Sequence, residues 1–80
     1  MAHPGPMPRY FFHTEDGRRF PDKEGTDLPD IGAARSAAIM VLSEVLRDNP
    51  DEFWTHERFK VTVTDEAKRT LFTIRMTLEP

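Results

Sequence analysis

Two hairpin signatures on either side of one helical segment constrain this chain more than any other feature. The first is the aromatic run Arg9-Tyr10-Phe11-Phe12-His13, a turn through Thr14-Glu15-Asp16-Gly17-Arg18, and a short return at Arg19-Phe20. Asp-Gly between apolar runs is a hairpin signal, because glycine takes positive φ without a Cβ clash. Pro21 stops the return strand, and its missing N–H suits a strand end or a sheet edge. The second signature alternates, with Phe59, Val61 and Val63 on one side and Lys60, Thr62 and Thr64 on the other. It turns through Asp65–Lys68 and comes back with Phe72, Ile74, Met76 and Leu78 inward and Leu71, Thr73, Arg75 and Thr77 outward. A period of two with one polar side means an antiparallel sheet exposed on one face.

Between the hairpins, Ile31, Ala34, Ala38, Val41, Leu42, Val45 and Leu46 recur at helical spacing. Asp30 is placed to cap the helix, its carboxylate accepting orphan N–H groups at the positive end of the dipole. Asp48-Asn49-Pro50 ends it, since the residue before a proline avoids the α region. The pattern predicts an α+β fold of order β-β-α-β-β, two antiparallel hairpins forming a sheet with one helix packed on one face. The expected core is Phe12, Phe20, Ile31, Ala34, Ala38, Val41, Leu42, Val45, Phe59, Val61, Val63, Phe72, Ile74 and Met76. Truncating Val41 or Ile74 to alanine is expected to cost about 2–4 kcal/mol. Phe53 and Trp54, in the poorly patterned stretch Asp51–Arg58, are expected to close an open end of that core.

Residues 1–7, rich in proline and without periodicity, read as a disordered leader, and residues 8–80 as a single small domain. Eighty residues bury only about 60% of the unfolded surface, so the stability margin is thin. No cysteine is present, which excludes disulfides and thiolate zinc sites as reinforcement and favours self-association instead. Nothing at the N-terminus has the form of a signal peptide, and the longest apolar stretch of the helix, Ala37–Leu42, is too short to span a bilayer. A soluble cytoplasmic protein is expected.

A net charge of −3 argues against general attraction to nucleic acid or anionic lipid. Catalytic patterns are missing too. Ser36 and Ser43 lie in the helix with no histidine near them in sequence, and Gly5, Gly17, Gly25 and Gly32 are too scattered for a phosphate loop. His3, His13 and His56 fit no metal spacing, and Asp22–Asp27 lacks the twelfth-position acid of a calcium loop. No enzyme activity, cofactor, metal or small-molecule substrate is expected. The sharpest clue is Tyr10-Phe11-Phe12: successive strand side chains face opposite sides, so one aromatic must lie away from the helix. The expected interaction surface is Tyr10, Phe11, His13, Trp54, Lys60, Leu71 and Arg75. It fits a partner protein, most simply a second copy of this chain. The alternative is a nucleic-acid-binding module, with bases on the exposed aromatic and phosphates on Lys60, Arg69 and Arg75. Local cover of that aromatic by Trp54 or the leader is the bland alternative.

The string Pro8-Arg9-Tyr10-Phe11-Phe12-His13, then Asp16-Gly17, Asp22-x-Glu24-Gly25, Leu28-Pro29-Asp30 and Ala33-Ala34-Arg35, resembles a family of short bacterial proteins described only as a domain of unknown function. The resemblance extends over most of residues 8–78, including the closing hairpin around Val61-Thr62-Val63-Thr64-Asp65. It implies no chemistry, because that family has no assigned activity. The leader and Phe53-Trp54 depart from its pattern. A looser similarity, from the Asp16-Gly17 hairpin through Leu28-Pro29 into the alanine-rich helix, is to antitoxins that pair a strand–turn–strand–helix domain with a small RNA-cleaving toxin. This chain lacks their further strand and DNA-binding segment. The leading expectation is therefore a non-enzymatic interaction module that self-associates as a homodimer, through the open sheet face or a strand edge.

Overall fold

A computed structural model of the chain describes residues 7–80; the expected leader lies outside them except for Met7. The chain runs through strands β1 (Arg9–Glu15), β2 (Arg19–Phe20) and β3 (Thr26–Asp27), helices α1 (Ile31–Asp48) and α2 (Pro50–His56), and strands β4 (Arg58–Thr64) and β5 (Thr70–Thr77). The two hairpins meet through β1 and β4, so the antiparallel sheet has the order β2-β1-β4-β5, with β3 also pairing β1. The α+β architecture is as the sequence patterning predicts. The additions are β3 and α2.

Alternation sets the two faces. In register, Phe12 faces Val63, Val61 faces Ile74 and Phe59 faces Met76. This side meets α1, which lies mainly over β4 and β1. Helix and sheet approach closely because Ala34 and Ala38 are the residues between them, both fully buried. The remaining core is Tyr10, Phe12, Phe59, Val61 and Val63. Val41, Leu42, Val45, Phe72 and Ile74 pack against it only half-buried. Two expected core residues are on the surface: Phe20 is 45% exposed and Ile31 38%. Phe20 ends the two-residue edge strand β2 and carries the Arg18 guanidinium over its ring. Ile31 is the first residue of α1, before the helix has crossed onto the sheet.

Asp30 caps α1 as expected, its Oδ1 accepting the Ala33 N–H at 2.9 Å. Asn49 ends it, and Pro50 then starts α2, where a proline needs no N–H partner. This helix occupies the stretch that showed no clear pattern in sequence. It turns into β4 through Glu57 in the left-handed conformation. Phe53 packs against the core, whereas Trp54 is 61% exposed and meets Phe53 edge-on, with ring centroids 5.9 Å apart, so it does not close the core as expected.

Candidate functional site

The sheet face away from α1 gathers Phe11, His13 and Glu15 of β1, Lys60, Thr62 and Thr64 of β4, and Thr73 and Arg75 of β5. Four expected surface residues, Phe11, His13, Lys60 and Arg75, thus share one face. Leu71 is exposed at the irregular step opposite Val63/Thr64. Tyr10 is buried in the core, so it cannot contribute to a surface, and Trp54 stands apart on α2. A shallow depression of about 600 Å³ lies on the open face, bordered by Phe11, His13, Thr62 and Thr64. Its rim mixes Arg19, Lys23 and Lys68 with Asp22, Asp65 and Glu66, a balance that favours no one charge of ligand.

Phe11 is less available than alternation alone suggests. Its ring lies over Gly25, where an added Cβ would sit 2.8 Å from Cε2, and it stacks on His13 with centroids 6.5 Å apart. Gly25 has φ +74°, so glycine serves there for both backbone and space. The loop between β2 and β3 supplies this cover and Trp54, on α2, does not; the leader lies outside the described residues except for Met7.

That loop completes the sheet edge. Strand β2 pairs only with Thr14 and Glu15, and β3 only with Arg9 and Tyr10. Between them the Phe12 N–H has no strand partner, and Asp22 Oδ2 accepts it at 3.1 Å. Asp22 Oδ1 accepts the N–H groups of Glu24 and Gly25. Burial of Asp22 raises its pKa, but the N–H groups of Gly25, Phe12 and Glu24 outweigh it and hold the carboxyl below the ordinary 3.8. His13 Nδ1 accepts the Asp22 N–H, which leaves the ring proton on Nε2 to be donated to Thr64 Oγ1 at 3.0 Å. Arg9 forks onto Asp27 and donates to the Glu24 carbonyl. Arg9, Phe11, His13, Asp22 and Gly25 are thereby committed to one another.

The cations proposed for nucleic acid are mostly committed as well. Lys60 pairs with Glu15 at 3.5 Å and Arg69 with Asp65 at 3.1 Å, while Arg75 makes no ion pair among the described residues. Asp65 is held below its ordinary pKa mainly by the Arg69 backbone N–H, with the Arg69 side chain and the Ala67 N–H adding to it.

A surface that sequence reasoning underweighted is strand β5. It is eight residues long and ends the strand order, so its outer edge has no partner among the described residues. Phe72, Ile74 and Met76 on its inner side stay half-buried because α1 lies over β4 and β1. The alternating run Leu71–Leu78 contained this signal, but only the strand order shows that the run lies at an edge. No helix among the described residues is long and apolar enough to cross a membrane.

Neither a curated protein nor a solved structure matches this chain. One family profile does, over residues 9–77, from the Arg9 that pins β3 to the end of β5. The chain therefore belongs to the family described as Domain of unknown function (DUF6894).

Proposed function

We propose that this chain is a small non-enzymatic interaction module that forms a homodimer by pairing β5 with β5 of a second copy. The observation that carries this reading is the eight-residue edge of β5, unpaired among the described residues, with its half-covered apolar side. A long, apolar edge strand is a template for another strand, and natural proteins block such edges with charges, prolines or bulges unless the edge is used. β5 carries one charge, Arg75, and no proline, and its irregular step lies at its very start.

The strand is also complementary to itself. A two-fold axis through Ile74 sets Ile74 opposite Ile74 and Phe72 opposite Met76 on the inner side. On the outer side it sets Thr73 opposite Arg75, so no like charges meet. The β5 pairing would join the two sheets and let each α1 overhang the neighbouring strand.

Light scattering over a hundredfold concentration range tests the reading, using the wild type, Thr73→Lys, Thr73→Glu and Phe11→Ser. Position 73 faces solvent in the monomer, so neither change there disturbs the core. In Thr73→Lys the new ammonium meets Arg75 twice across the axis and weakens the dimer by about 2–30-fold, from two like-charge cross-strand pairs. Thr73→Glu sets a carboxylate against Arg75 instead and tightens it. Phe11→Ser leaves the dimer intact. A wild type that stays monomeric throughout overturns the proposal, and a dimer lost only in Phe11→Ser moves the interface to the open face.

A further inference from the structure

The turn of the first hairpin and the short helix α2 come together at a point that the β5 interface does not involve. Asp16, Glu52 and His56 each bring a ligand atom to it, all within 4.8 Å of one another. Glu52 and His56 stand at i and i+4 on α2, with Glu52 Oε2 3.4 Å from His56 Nε2. That is already a separation at which two donors can share one ion, since bonds of about 2.0–2.2 Å place ligands about 3–4 Å apart.

Asp16 is the unusual member. Its side chain belongs to the only buried charged residue among those described, 7% exposed. It accepts one hydrogen bond, a long one of 3.3 Å from the Arg18 N–H to Oδ1; its other oxygen accepts none and is reached by solvent, since no buried side-chain oxygen among the described residues lacks a partner. No lysine or arginine forms an ion pair with it: Arg18, the nearest in sequence, places its guanidinium over the Phe20 ring. A buried carboxylate without a cationic partner is costly, and such groups are paired or bind metal. The approach of His56 is built into the turn. Gly17 has φ +108°, and a Cβ there would lie 2.5 Å from His56 Nδ1, so the imidazole rests where only glycine leaves room. Nδ1 thus faces the turn and Nε2 faces Glu52. A groove of about 330 Å³ opens beside the carboxylates and gives an ion access, lined by Asp16, Glu52, Asn49 and Thr14 and also by Arg18, whose guanidinium is turned onto the Phe20 ring.

We propose that Asp16, Glu52 and His56 bind a divalent transition-metal ion of the zinc class, with water completing its coordination. Two carboxylates and a neutral imidazole are a mixed oxygen–nitrogen set that suits Zn²⁺, Co²⁺ or Ni²⁺ better than Ca²⁺. The ion neutralises the two carboxylates and fastens the β1–β2 turn to α2, reinforcing a domain without cysteine.

The test is calorimetric titration of the full chain, first stripped with chelator, with Zn²⁺ and with Co²⁺, alongside melting curves in both ions. The wild type takes up one equivalent, and its melting temperature rises with the ion. His56→Ala and Glu52→Gln, both at half-exposed positions, weaken uptake by more than about tenfold while keeping the fold. Asp16→Asn does the same, and its circular dichroism shows whether the turn survives the change. Absence of uptake by the wild type overturns the proposal. So does uptake that is unchanged in both α2 variants, which would place the ion on other histidines. If His56→Ala shifts the melting temperature equally with and without metal, the cluster is a proton-bridged ion pair and the metal assignment fails.

Discussion

At the scale of single residues, Asp22 closes the sheet edge where neither short strand reaches. Its carboxylate gathers three N–H groups, and its own N–H goes to His13. Asp22→Ala leaves the partly buried Phe12 N–H without a protein partner and is expected to cost about 1–2 kcal/mol by urea denaturation. The pH dependence follows from the lowered pKa. A carboxyl that ionises more readily folded than unfolded binds fewer protons in the native state, so its stabilisation is complete above the unfolded value and is lost as pH falls. The melting temperature should drop on acidification below about pH 4, near the ordinary aspartate pKa. In Asp22→Asn that drop should be shallower, and an identical acid profile in both proteins would show that Asp22 does not carry it. Val61 illustrates the core: it is fully buried between Thr14 and Ile74, and Val61→Ala should cost about 2–3 kcal/mol. Ile74, taken from the sequence as an equal core position, is half-buried and should cost less in the isolated monomer.

The elements show why some of this was legible and some was not. α1 could be read end to end because its signals are local: the apolar spacing, the Asp30 cap and the proline after Asn49 all lie in or beside the helix itself. Asp30→Ala should cost about 1 kcal/mol, detectable as a lower urea midpoint with unchanged slope. The two long hairpin arms were legible for the same reason, their period of two. β3 was not, because a two-residue strand has no period, and Thr26–Asp27 is a strand only because β1 lies beside it. α2 was hidden because Pro50-Asp51-Glu52-Phe53-Trp54 has no repeating apolar stripe, and its seven residues are held by α1 and β4. The Asp16–Glu52–His56 cluster follows from α2. Read as a loop, Glu52 and His56 have no fixed spacing; read as a helix, they share a face. Alternation required the aromatic triplet of β1 to be split between the two faces but did not say which face carries Phe11, so Tyr10, which is buried, was expected beside it on the surface. The loop that covers Phe11 depends on Asp22 and Gly25 meeting a strand ten or more residues earlier in the chain.

At the scale of the whole molecule the core is thin. The largest fully buried side chains are two valines, Val61 and Val63, and one face of β5 is only half-covered. In the proposed dimer, a second copy would add buried apolar surface to a chain of 80 residues that has no disulfides. Dimerisation that buries the inner side of β5 couples folding to concentration, because an interface formed only by native chains stabilises them by mass action. The melting temperature of the wild type should therefore rise with protein concentration. Thr73→Lys should flatten that dependence with only a small loss of melting temperature at high dilution, since within one copy the new ammonium stands only diagonally to Lys60 and two residues from Arg75. Ile74→Ala should do both: it removes a half-buried side chain from the monomer and the central pair from the dimer, so its cost should grow with concentration. A wild-type melting temperature that is constant over a hundredfold dilution would mean that the domain stands on its own thin core, and that the β5 edge is left free.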